Sequence, residues 1–342
     1  MTTGSITPVD RRLSLMGTHI RVVVGPPARD GLAEPREAAA RVEDLLADYD
    51  RRLSRFRPDS ELCSLNADDR EVVPASEMLR AAVRAALEAA ERSGGLVDPC
   101  LLGELETAGY RESWDTSRRV AVAEALAEVR LPRRPAGASE AAAWRSISVD
   151  DESGAIRRPR GLRLDTGGTG KGHAADLSAA VLDGYETWAV DCGGDLRIGG
   201  DAGVVREVEV EHPFTGEMFD TVRVRRGAVA TSGLRSRIWR DAAGAIAHHL
   251  IDPATGRPAF TGLVAVTAIA PTAVEAETIA KAALLAGPGG ARGMLARHGG
   301  IAITEEGDVL RVGRLEPPPL VRFRMPARPP VAAADRASGG RP

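Results

Sequence analysis

The residue types that could do chemistry in this 342-residue chain gather in a few stretches. The longest, residues 162–200, reads LRLDTGGTGKGHAADLSAAVLDGYETWAVDCGGDLRIGG. Gly167, Gly168, Gly170 and Gly172 precede or open a helix there. Backbone N–H groups freed by glycine at a helix start can approach a phosphate, and the helix dipole favours the anion. Lys171 adds a point charge. Gly193 and Gly194, between Asp191 and Asp195, form a second turn. The pattern fits neither the Walker nor the dinucleotide fingerprint, so on glycine alone two ordinary glycine turns are the favoured reading.

A second stretch is IAHHLIDPATGRP, residues 246–258. A lone histidine is more often structural than catalytic, but a histidine beside the Asp252-Pro253 turn, His248 or His249, is a general-base candidate. A third is RRLSRFRPDSELCSLN, residues 51–66. Ser60, Glu61 and Asn66 offer hydrogen-bond groups suited to a nucleotide's polar edges. Alternatively Ser60 with Glu61 caps a short helix. Finally, Glu277 and Lys281 stand four apart on one helix face. A surface ion pair of that kind contributes only about 0.3–0.5 kcal/mol.

Composition sharpens this picture. Lys and Arg total 45, yet only Lys171 and Lys281 are lysines. Asn66 is the single asparagine, and glutamine is absent. A chain that uses arginine wherever any cation serves keeps lysine where a guanidinium does not fit. A net charge of −3 with no basic cluster interleaved with aromatics argues against nucleic acid. Three widely spaced cysteines give neither a disulfide framework nor a zinc site. No apolar run is long enough to span a bilayer, and the first residues have no apolar signal core, so a cytoplasmic protein is expected.

The elements that must position these residues follow from periodicity and caps. Strands are expected at 13–24, 144–149, 155–158, 162–164, 188–190, 204–210, 221–224, 228–233, 264–270 and 301–303. Helices are expected at 34–53 with Pro35 in the first turn, and at 76–92 with Ser76 as N-cap. Others are expected at 120–130, from Gly170 to about residue 182, at 273–286 and at 291–297, with a turn at 287–290. Residues 96–99 read as extended, since the residue before proline avoids helix. Residues 1–12 are expected to be flexible, 13–315 to form the domain, and the Pro/Arg/Ala-rich 316–342 to lack order.

Taken in order, the motifs resemble those of the ApbE family of FAD:protein FMN transferases. They are MGT at 16–18, LSRFRPDSELCSLN at 53–66, VDP at 97–99 and LDTGGTGKGHAAD at 164–176. CGGDLR at 192–197, ATSG at 230–233, HHLIDPATGRP at 248–258 and AETIAK at 276–281 complete the series. The resemblance spans roughly residues 13–313, most of the chain. It implies an α+β fold of two intertwined lobes with FAD in the cleft between them. It also implies transfer of FMN from FAD to a threonine of an acceptor protein, with release of AMP. By position, Met16, Phe56, Ser60, Glu61, Leu96, Val97, Asp98, Asp165, Lys171 and Leu250 are implied at the FAD site. His249 falls at the family's proposed base, with Asp252 and Lys171 as further catalytic candidates.

One departure concerns the metal. Family members usually hold Mg²⁺ through an Asp and a Thr of one helix, aided by a backbone carbonyl at the position of Gly168. Here Glu277 replaces the Asp and Lys281 the Thr. A protonated lysine cannot ligate a metal. Either Lys281 takes the metal's place, or Mg²⁺ stays on Glu277, the Gly168 carbonyl, pyrophosphate and waters with Lys281 flanking it. A tyrosine-containing segment that commonly follows the family's TSG is here Leu234-Arg235. Two other readings share the same residues: an FAD pyrophosphatase giving FMN and AMP, and a non-catalytic flavin-binding protein.

Overall fold

The computed structural model describes residues 8–200 and 204–315. Its centre is an eight-stranded sheet: β1 (Val9–Leu15), β2 (Thr18–Val24), β3 (Thr187–Cys192), β4 (Asp195–Gly200), β5 (Gly227–Gly233), β6 (Leu263–Ala270), β7 (Gly300–Thr304) and β8 (Val309–Val312). The strands lie side by side in chain order, and each neighbouring pair is antiparallel. The fold is therefore α+β, as expected.

β1 and β2 replace the single strand expected over 13–24. They join through Met16 and Gly17, whose φ angles are 54° and 65°. Two consecutive positive φ values make the tight turn whose twist matches a hairpin. The register Val9↔Val24 to Leu15↔Thr18 brings residues 9–12 into the sheet. Residues 1–7 and the tail 316–342 lie outside the described residues.

Between β2 and β3 the chain builds most of one lobe. Besides the short helices Leu102–Thr107 and Val122–Glu128, this segment holds α1 (Pro35–Leu53), α2 (Glu61–Ala67), α3 (Glu77–Arg92) and α4 (Gly170–Val181). α1 buries Pro35, Ala38, Ala39, Val42, Leu46, Tyr49 and Leu53, a stripe spaced three or four apart. α3 starts where Ser76 accepts a hydrogen bond from the Leu79 N–H. A final long helix, α5 (Ala273–Leu295), packs on β5 and β6, while α1 and α4 cover β1 to β4. One buried cluster joins α1, α3 and α4 to β2 and β3; the second joins α5 to β6, β7 and the hairpin Arg206–Glu211/Met218–Val224.

Three local expectations change. Residues 162–164 are not a strand, because the Asn66 side chain replaces a neighbouring strand. Its Nδ2 donates to the Leu164 carbonyl at 2.8 Å, and its Oδ1 accepts from the Leu164 N–H at 2.7 Å. The strand expected at 144–149 begins only at Ser148, after a 3-10 turn over Ala143–Ser146 that buries Trp144. The turn expected at 287–290 is a kink within α5, where Gly287 takes φ 69° and ψ −177°. Among the described residues no helix is long and apolar enough to cross a membrane.

Candidate active site

A cleft of about 930 Å³ runs between the lobes, a volume in the range of ligand pockets. The start of α4 and the first half of α5 contribute Gly168, Lys171, Glu277 and Lys281 to its lining. The β1–β2 turn contributes Met16, whose N–H donates to Asp50 Oδ1 at 3.1 Å. Phe56, the extended run Leu96-Val97-Asp98, Asp165, His249 and Leu250 also line it. Most residues singled out from sequence thus meet in one place.

Asp165 fixes the entry to α4. Its N–H donates to the Pro99 carbonyl at 2.8 Å, and its Oδ1 accepts from the Gly167 N–H at 2.9 Å. The Gly172 N–H donates to Glu277 Oε2 at 3.0 Å, and the Gly194 N–H to Asp191 Oδ1 at 2.8 Å. Two of the four helix-start glycine amides expected to meet a phosphate, those of Gly167 and Gly172, are therefore spent on the protein's own carboxylates. The motif's full positive charge toward a ligand comes from Lys171, which lines the cleft with Gly168 and Gly170.

That lysine belongs to a four-membered ion cluster. Lys171 Nζ bonds Asp195 Oδ2 and lies 4.0 Å from Glu277 Oε1. Lys281 Nζ donates to the Gly168 carbonyl at 2.6 Å and to Glu277 Oε1 at 3.4 Å. The carboxylates are nearly inaccessible, Asp195 at 1% and Glu277 at 2%, whereas Lys171 keeps 22% and Lys281 14% of its side-chain surface. Burial beside Glu277 raises the Asp195 carboxyl above the ordinary carboxylate range. Burial alone would lower the Lys171 pKa, but the Asp195 and Glu277 charges outweigh it and raise it. Burial also raises Asp98, whose Oδ1 accepts from the Cys100 N–H at 2.8 Å.

His249 sits between two short strands, Ile246–His248 and Ile251–Asp252. Its Nδ1 lies 3.4 Å from the Arg237 carbonyl. A carbonyl only accepts, so the hydrogen bond puts the ring proton on Nδ1 and leaves the Nε2 lone pair free. Burial first, then the neighbouring charge of Arg237, hold the imidazole well below its ordinary pKa; Lys281 acts in the same direction.

Three predicted site residues stand outside the cleft. Ser60 is buried and caps α2 by accepting from the Cys63 N–H at 3.1 Å. Glu61 accepts from Ser76 twice, at N and Oγ, both at 2.6 Å. Ser60 therefore caps α2 as the capping alternative has it, while Glu61 braces Ser76, the N-cap of α3. Asp252 Oδ1 accepts from the Gly137 and Ala254 N–H groups, and Oδ2 from the Thr255 hydroxyl, so it shapes the turn after His249. Other cleft residues escaped sequence reasoning. Arg55, 8% exposed, lies with its guanidinium carbon 4.2 Å from the Phe56 ring centre and 4.4 Å from that of Tyr110. In a chain this rich in arginine, no composition signal separates Arg55 or Arg237 from the rest. Leu234, in the segment that departs from the family pattern, is buried, and Arg235 pairs with Glu211 at 2.6 Å.

The model of the ApbE family matches residues 16–304, which hold every cleft residue named above. The chain belongs to the ApbE family. An FAD:protein FMN transferase of Treponema pallidum is 31% identical over 294 residues, covering 80% of this chain and 77% of that protein. One from Klebsiella pneumoniae is 29% identical over 300 residues, covering 84% and 81%. The crystal structure of the ApbE protein from Thermotoga maritima superposes with a TM-score of 0.71 at 25% identity, covering 90% of this chain and 97% of that one.

The Mg²⁺ that the resemblance implies does not fit this donor set. The Gly168 carbonyl already accepts from the Lys281 ammonium, and both Glu277 oxygens accept from protein donors. A protonated amine has no lone pair to offer a metal.

Proposed function

We propose that this ApbE-family chain is an FAD:protein FMN transferase. It moves FMN from FAD to a threonine hydroxyl of an acceptor protein and releases AMP. The observation that carries the reading is His249, anchored through Nδ1 to the Arg237 carbonyl, in the same cleft as the Lys171–Lys281 pair. The names of the related proteins support it.

The chemistry follows from those groups. A threonine hydroxyl is a weak nucleophile and needs a positioned base. In this reading His249 Nε2 takes its proton as the oxygen attacks the phosphorus bearing the riboflavin. A new P–O bond forms, the P–O–P bond breaks, and AMP leaves in line with the electron pair. Negative charge grows on the phosphates during the step. Catalysis of such transfers is mostly positioning and charge stabilisation, which Lys171 and Lys281 supply. Phe56, Leu96, Val97 and Leu250 offer apolar surface for the flavin, with Met16 at the hairpin turn. Asp98 and Asp165 hold the loops beneath it. Asp252 positions His249 through the turn rather than touching substrate.

The test is AMP release from FAD with and without a candidate acceptor carrying a Ser/Thr-rich attachment motif. The transferase reading expects AMP only when the acceptor is present. AMP and FMN formed at the same rate with water alone would instead make the chain an FAD pyrophosphatase. FAD that binds without turnover under both conditions would make it a flavin carrier.

A further inference from the structure

We propose that Lys171 and Lys281 form a metal-free pyrophosphate subsite in this chain, with the Lys281 ammonium standing where relatives would place a divalent ion. The proposal rests on the dinucleotide substrate argued above. Its support is the layering of the ion cluster. Asp195 and Glu277 lie at the back, almost fully enclosed, and the two ammonium groups lie in front with surface left for a ligand. Each cation has its own anchor: Asp195 for Lys171, and the Gly168 carbonyl with Glu277 for Lys281. The two acids and two bases balance formally, and Asp195 Oδ1 is the one carboxylate oxygen of the cluster without a hydrogen-bond partner.

A divalent ion entering here must either displace Lys281 from the Gly168 carbonyl or sit against its positive charge. Moreover, Glu277 is fixed from both sides, since Oε2 holds the Gly172 N–H while Oε1 faces the lysines. Turning it toward a metal would leave a buried amide without a partner. A pyrophosphate has the opposite effect. It brings acceptor oxygens and negative charge to two pre-oriented ammonium groups, and charge-assisted hydrogen bonds of that type are among the strong ones. The lysine-poor composition fits this use, because a compact ammonium fits between a carbonyl and a carboxylate where a planar guanidinium does not.

Two measurements on the intact chain decide it. Mn²⁺ is titrated into protein, with and without FAD, and free Mn²⁺ is followed by its electron paramagnetic resonance signal. FAD affinity is measured by flavin fluorescence in EDTA and in excess Mg²⁺. The subsite predicts no tightly held Mn²⁺ and FAD affinities equal within about twofold. It also predicts that Lys281→Ala weakens FAD binding about 10- to 100-fold, the loss of one charged hydrogen-bond donor. The double change Glu277→Asp with Lys281→Thr should create Mn²⁺ binding. One Mn²⁺ per wild-type chain, or FAD binding that needs a divalent ion, overturns the subsite and leaves the transferase reading standing. FAD that binds under no condition overturns both.

Discussion

The proton inventory of single side chains decides much of the chemistry. His249 is held as a neutral ring by burial and by nearby positive charge, and a base must be neutral to accept a proton. Protonation would set in only well below pH 6.5, so His249 should add no fall in kcat/KM between about pH 8 and about 6.5, where the buried Asp195 carboxyl, raised to about 7, is the group that titrates. A decline centred near 6.5 that persists in Asp195→Asn would remove His249 from the role. His249→Ala should lower turnover by about 10²–10⁴-fold while FAD affinity changes only a few-fold, because a base acts on the attacking hydroxyl. Unchanged turnover would contradict the assignment. Two other histidines bear on stability. Burial lowers His248 to about 3 and His173 to about 4. Both pKa values are depressed in the folded state, so their contribution is intact above the unfolded value near 6.5 and is lost as pH falls below it. Each ring costs about 1.4 kcal/mol per pH unit in that window. Urea unfolding of wild type and His248→Gln at about pH 7 and 5 checks this. The variant should lose less stability on acidification, and identical slopes would refute the assignment.

At the scale of elements, the decisive contact is between α4 and α5. Gly172 lies so close to the first turn of α5 that a methyl group on it would stand 2.6 Å from the Ala273 carbonyl oxygen and 2.8 Å from the Val274 nitrogen. Those atoms are backbone and cannot swing away. Gly172→Ala should therefore push the helices apart, at about 1–3 kcal/mol of stability. It should also disturb the Gly172–Glu277 hydrogen bond, weakening FAD binding along with Tm. A variant with unchanged Tm would show that the helices have slack there. Elements ending in local chemistry were legible in the sequence: Pro35 and Ser76 start their helices, and Gly287 breaks α5. Leu162–Leu164 was not, since alternation cannot reveal that an asparagine side chain 98 positions away takes a strand's place. Nor does a Ser-Glu pair announce whether it faces a ligand or caps a helix. Here both side chains are consumed by backbone groups and a neighbouring serine.

Over the whole molecule, the eight strands follow one another in space as in sequence, but 162 residues separate the end of β2 from the start of β3. That excursion lays α1 and α4 on the sheet and brings Lys171 within reach of Glu277 and Asp195. The ordered motifs identified the cleft and most of its lining. They did not show that the two lysines share one buried acidic pair, which depends on side-chain distances across the lobes. Arg55 and Tyr110 stayed hidden for a similar reason: their stacking arises only when α1's end meets the loop after the helix Leu102–Thr107. The central claim is transfer of a phosphorus-linked flavin from FAD to a protein. Its most direct test is the intact mass of a candidate acceptor after incubation with this chain and FAD, alongside an acceptor in which the motif threonine is alanine. The account predicts a gain of one FMN group on the threonine form, none on the alanine form, and one AMP released per FMN attached. An acceptor whose mass is unchanged while FAD is consumed would contradict it.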